Sequence, residues 1–271
     1  MGLITRKFDR AGTPLLAGMF ILLFYLEGKY RLRKRVQNRW KRAFINSAVS
    51  VPAFTLLRFM FLPTVVWLAR RRMNTGSRVF FLPGLSLTNP LNQALAFLFL
   101  DYTNYLWHRL NHIIPFLWRF HLVHHTDKDL DITTAFRFHF GEMIGSLFYR
   151  GAFTYLSGAT PLTVILYEIA FEGATEFHHS NMKMPLNVEK LLNLVFVTPR
   201  MHGIHHSVNR NETDSNYSVI FSFWDRLHRT AKLDVPQSNI IIGVPVYPDA
   251  AELSIPFLLK LPFTKIRKWE H

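Results

Sequence analysis

The sequence predicts an all-α integral membrane protein, a helical bundle carrying a histidine-rich helical cap on its cytoplasmic side. Three observations lead there. Hydrophobic residues make up 49% of the 271 residues while charged ones are 18%, below the roughly 25% of soluble chains. The apolar residues gather in four long stretches. Eight of the thirteen histidines fall in three tight groups at helical spacing.

Each apolar stretch is justified in turn. Residues 11–26 carry no charge, and residues 43–69 are interrupted only by Arg58 and by Pro52 and Pro63. Residues 79–100 are again uncharged, with Pro90 as the expected start of a helix proper. Residues 143–171 are apolar apart from Arg150 and Glu168, and the Gly-Ala-Thr-Pro at 158–161 divides them, so a helical hairpin over about 143–177 is expected. A crossing takes about 20 residues at 1.5 Å each, which makes full spans expected first of the second and third stretches. The first stretch is followed by Glu27 and a basic run rather than a small-residue cleavage site, so it reads as an anchor and not as a cleaved signal.

The chain thus divides into N-terminal transmembrane helices with a basic loop (1–100), a histidine-bearing domain (101–230) and a C-terminal tail (231–271). With two crossings flanking the loop 29–42, Lys and Arg number 23 on the inner side and 7 on the outer. That excess places the histidines on the cytoplasmic side. The balance of 32 Lys and Arg against 18 Asp and Glu, +14 overall, suggests an anionic membrane surface. No nucleic acid partner is expected. Having no cysteine, the chain can build no disulfide, Fe–S cluster, thiolate haem or cysteine zinc site.

The histidine groups are His108 with His112, then His121, His124 and His125, then His202, His205 and His206. Spacings of three and four put each group on one helix face, one turn apart. Pro115 separates the first two groups and Pro199 precedes the third. A neutral imidazole binds a transition metal through one ring nitrogen and leaves the other free to hydrogen-bond. Five or more converging imidazoles exceed one tetrahedral zinc, so the count points to two metal ions. No His-Glu-x-x-His occurs, which removes the zincin proteases. Only Glu176 to His179 forms the Glu-x-x-His unit that a ferritin-like carboxylate site needs twice. His228 and His271 read as ordinary histidines.

Phe-Leu-Trp-Arg-Phe-His-Leu-Val-His-His (116–125) and Asp-Leu-Asp-Ile-Thr-Thr-Ala-Phe-Arg-Phe-His (129–139) resemble the fatty acid hydroxylase/sterol desaturase superfamily. Thr-Pro-Arg-Met-His-Gly-Ile-His-His-Ser (198–207) is similar to its last histidine box, and Asp-Ser-Asn-Tyr-Ser (214–218) with Phe-Trp-Asp-Arg-Leu (223–227) to the segment that follows. Within it, the chain looks most like the bacterial proteins loosely called sterol desaturase family. The resemblance implies a multi-pass enzyme of the bacterial inner membrane with two irons per chain, which zinc can misload. It implies use of O2 to hydroxylate or desaturate a C–H bond of a fatty acyl, sterol or related lipid. It further implies His108, His112, His121, His124, His125, His202, His205 and His206 as ligands, joined by His179. His139 matches a recurrent family histidine and is expected beside a ligand or in the substrate pocket, with ligation as the alternative. His178 is an extra neighbour.

Two carboxylates are singled out by spacing. Asp101 lies seven residues before His108, and Glu172 seven before His179, nearly two helical turns. Glu168, Glu172 and Glu176 also repeat at i,i+4. Carboxylates at membrane depth are costly, so Asp101 and at least one of these glutamates are expected to accept ring N–H groups of metal-bound histidines. Phe120, Phe136, Phe138, Phe177 and Trp118 are candidates to line a lipid route. No dinucleotide or haem-attachment motif is present, so electrons are expected from a separate reductase or small redox carrier. The competing class is non-catalytic, a histidine-rich membrane protein for metal transport or lipid binding.

Overall fold

A computed structural model describes residues 8–75 and 85–269. Arg6, Lys7, Arg78, His271 and the 79–84 start of the third apolar stretch lie outside them. The described residues are helical throughout, with three isolated β-bridges and no strand. The principal helices are α1 (Thr13–Lys29), α2 (Arg39–Leu56), α3 (Leu62–Asn74), α4 (Pro90–Ile113), α5 (Pro115–His125), α6 (Phe140–Ser157), α7 (Pro161–His179), α8 (Leu186–Leu192) and α9 (Pro199–His205).

Local chemistry sets these boundaries. Asn38, Asn89, Thr160 and Thr198 accept backbone N–H groups at the starts of α2, α4, α7 and α9, and a proline occupies the first turn of the last three. The break expected at 158–161 is a turn with Gly158 at φ 66°, where an L side chain would be strained. Pro52 and Pro63 do not break their stretch. Pro63 has no N–H to offer the preceding turn, and a five-residue π turn (Leu57–Phe61) absorbs the mismatch between α2 and α3.

Among the described residues two segments, Phe8–Lys29 and Arg39–Asn74, are long and apolar enough to cross a membrane. Of the third stretch, residues 90–100 form the first half of α4; from Asp101 onward that helix turns polar and buries Asp101, Asn104, Asn111 and His112. One apolar core joins Phe61, Val65 and Ala69 of the π turn and α3 to Ala96 and Leu100 of α4 and to Val164 and Tyr167 of α7. A second packs Val244, Tyr247, Leu258 and Leu261 of the C-terminal segment onto Leu122 and Val123 of α5. The tail is thereby part of the wall behind the second histidine group.

A buried polar network ties the N-terminal helices to that group. Arg42 donates to both Asp127 oxygens at 2.8 Å and to Asp131 at 2.6 Å. Burial alone would push the Asp127 carboxyl up, but Arg42 and Arg137 beside it hold it well below the usual carboxylate range. Arg137 donates to the Val123 carbonyl and to Asn46. Glu27, fully buried at the end of α1, accepts the backbone N–H groups of Ile132 and Asn181.

Candidate metal centre

Four helix ends converge. The C-terminal turns of α4, α5 and α7 and the short α9 bring nine buried imidazoles into two groups. His108, His112, His121, His125 and His205 form one, and His124, His179, His202 and His206 the other. Within each group one ligating atom per residue lies within 4.8 Å of the rest. The groups adjoin, the rings of His125 and His206 stacking at 4.4 Å.

The protonation pattern suits metal. Burial, and after it the neighbouring imidazoles, pushes His108, His112, His124, His125, His202 and His206 well below the usual histidine value. Burial holds His179 and His205 at about 3. The rings are therefore neutral near pH 7, each with one lone pair. His179 donates its Nδ1–H to the Thr175 carbonyl at 2.8 Å, which leaves Nε2 bare. That Nε2 stands 3.0 Å from those of His124 and His202, and His202 Nε2 is 3.1 Å from that of His206. A cation placed among these Nε2 atoms would take the lone pair of all four rings at once. In the other group the buried Nε2 atoms of His112 and His205 have no partner. The donor set fits two nitrogen-ligated transition metals.

Backbone carbonyls orient several rings. His108 donates Nδ1–H to the Tyr217 carbonyl at 2.8 Å and His205 to that of Ser215 at 2.7 Å. Asp225 holds the intervening loop by accepting the N–H groups of Tyr217 and Ser218. His121 Nδ1 meets the Glu142 carboxylate at 3.0 Å. Removing that acceptor in Glu142→Leu is expected to lower metal affinity about 10–100-fold, measured by competition with a chromogenic chelator. Unchanged affinity would show that His121 needs no carboxylate.

Three residues chosen from the sequence stand elsewhere. Asp101 accepts from Trp224 Nε1 at 2.8 Å and from the N–H groups of Ile220 and Phe221 at 3.4 and 3.2 Å, so its carboxylate braces the 220–224 segment and no histidine. Glu172 bonds no histidine among the described residues and lines the cavity below them. His139 caps α6, accepting from Gly141 N–H through Nδ1 and donating from Nε2 to the Leu259 carbonyl, which occupies both nitrogens away from the metal groups. For Asp101 helical spacing described one face correctly, but partners more than a hundred residues away took its polar atoms first.

His178 belongs to neither group; its Nδ1–H goes to the Val219 carbonyl and its ring lies against His202. The residues that spacing did not reveal are Glu142 and Asp225 with the carbonyls of Thr175, Ser215 and Tyr217. Glu142 follows His139 by three residues and was the one available side-chain signal; carbonyl acceptors leave none. Below the histidines a cavity of about 100 Å³ is lined by Phe54, Phe136, Phe138, Met143, Phe171 and Val219, among others, and reaches His108, His121, His124, His179 and His202. Phe136 and Phe138 thus line the route. Trp118 instead packs on His112 and His125, and Phe120 on His139.

Helix ends that press nine buried imidazoles together above a largely apolar cavity define a helical histidine-cluster protein suited to holding metal. The family model described as fatty acid hydroxylase matches residues 93–230, just over half of the chain, and the chain belongs to that family. An ornithine lipid hydroxylase of Rhizobium tropici is 34% identical over 154 residues, 56% of this chain and 45% of that one. The alkylglycerol monooxygenase of Homo sapiens is 30% identical over 169 residues, 62% of this chain and 35% of that one. The cholesterol 25-hydroxylase of Homo sapiens is 24% identical over 138 residues, 50% and 49% of the two chains. The chain spans less than half the length of each of these relatives. No solved structure matches it.

Proposed function

We propose that this chain is a membrane di-iron oxidoreductase that uses O2 to hydroxylate a C–H bond of a lipid. The observation that carries the proposal is the division of nine imidazoles into groups of five and four at the head of one apolar cavity. His108, His112, His121, His125 and His205 would hold one iron, and His124, His179, His202 and His206 the other. Iron bound there supplies the oxidising power, drawn from O2 and electrons, that an unactivated C–H bond requires.

The chain's own residues do the rest. The carbonyls of Tyr217, Ser215 and Thr175 and the carboxylate of Glu142 set the tautomers of His108, His205, His179 and His121, so that Nε2 is each ring's ligating atom. Phe136, Phe138 and Val219 line the cavity and would exclude water from it. The names of the relatives favour hydroxylation over desaturation. Electrons would come from a separate reductase or small carrier on the cytoplasmic face, to which the basic loop 29–42 belongs.

Protein prepared anaerobically from iron-replete cells is expected to hold about two metal ions per chain, as the two groups require. Reconstituted with an electron donor and lipid extract, it is expected to consume O2 and add one oxygen atom to a lipid, read by mass spectrometry. One metal or none in active protein would overturn the dinuclear site. Two metals with no lipid oxidation under any donor would return the protein to the non-catalytic class.

A further inference from the structure

The cavity under the histidines is largely apolar; besides Ser50, Asn104 and Asn111, its polar side chains below the imidazoles come from α6 and α7. On α6, Glu142, Ser146 and Arg150 follow at intervals of four and line it, and on α7 His179, Thr175 and Glu172 line it at intervals of four and three. Glu142 is engaged by His121. Arg150 donates from Nη2 to both Glu168 oxygens at 2.7 Å, with the rings of Phe61 and Phe171 each 4.5 Å from its guanidinium. Among the described residues nothing bonds Arg150 Nε or Nη1, the Ser146 hydroxyl or the Glu172 carboxylate, and Glu172 pairs with no cation. Arg150 and Ser146 are each only 6% exposed.

Bracing two helices would explain an Arg150–Glu168 pair, but it needs neither Ser146 nor Glu172. Ionisable groups among apolar helices are costly and mark a path or a ligand. Unbonded donors beside an unbonded carboxylate suit a group that both accepts and donates a hydrogen bond, and an alcohol is the simplest group on a lipid that does. Seven residues of α7 part Glu172 from His179, about 10 Å along the axis, so a lipid held here would present a more distant carbon to the histidines.

We propose that Arg150, Ser146 and Glu172 form a subsite for a hydroxyl group of the lipid substrate, remote from the carbon that is oxidised. The hydroxyl oxygen accepts from Arg150 and Ser146 while its proton goes to Glu172, and Glu168 orients the guanidinium. This deepens the oxygenase reading and rests on it for the identity of the ligand as substrate.

The test is binding, independent of turnover. Native mass spectrometry of the purified full chain, metal-free, would compare retention of 1-hexadecanol with that of hexadecane. The alcohol is expected to be held at least about tenfold more tightly. Ser146→Ala and Glu172→Leu remove atoms that make no internal bond, so they leave the fold intact; each is expected to erase most of that preference while hexadecane retention stays unchanged. Equal retention of both probes by the unaltered protein, or a preference surviving both substitutions, would overturn the subsite. An alcohol preference in protein that never oxidises lipid would keep the subsite and remove the oxygenase reading. Lipid oxidation by protein without the preference would do the opposite.

Discussion

His179→Ala and His205→Ala are each expected to abolish lipid oxidation, with a loss of at least about 100-fold, since changes one shell further out already cost 10–100-fold. One residue is taken from each histidine group, so the two variants test the two sites separately. His179 contributes the Nε2 that stands 3.0 Å from both His124 and His202. His205 contributes a buried Nε2 with no other partner while its Nδ1 is held by Ser215. Metal content should fall toward one ion per chain in either variant, measured by elemental analysis beside the activity. His228→Ala is the control: that ring stacks on Tyr105 and meets the Tyr102 hydroxyl, outside both groups. Full activity in His205→Ala would contradict the ligand assignment.

Arg42→Met carries the second large effect, on stability. The substitution strands Asp127 and Asp131, both buried, without the cation that Arg42 supplies to each. Breaking a buried ion pair by removing one partner typically costs about 3–5 kcal/mol. That is a large share of the 5–15 kcal/mol by which a domain is stable. Asp127 also sits two residues after His125, so the second histidine group should lose its register with α4. A drop in melting temperature together with lost metal is expected. Adding Asp127→Asn should recover part of the loss, and only part, because Asp131 stays unpaired. Native melting in Arg42→Met would show that the network is dispensable.

Much of this protein was legible along the chain. Pro90, Pro115, Pro161 and Pro199 mark helix starts because a missing N–H is harmless only in a first turn, and the helices begin there. The histidine spacings are local facts, so the face they share was readable without knowing what lay opposite. The second stretch, expected to span despite Pro52 and Pro63, does run as one segment long enough to cross, with a π turn absorbing Pro63.

The sequence by itself determined the helical class, the apolar segments, the family and the nine imidazoles, because each is written in residue type and in spacings of three or four. Tertiary structure alone decided which histidines share a group: His124 and His125 are adjacent in sequence, yet successive positions on a helix point about 100° apart and they fall into different groups. It also decided where the carboxylates act. Asp101 is nearly two turns from His108 on one helix, but backbone N–H groups at 220–221 and the indole of Trp224 reach it from more than a hundred residues away. A buried polar atom binds whichever complementary group the packed chain brings nearest, and no periodicity along one helix records what the others bring.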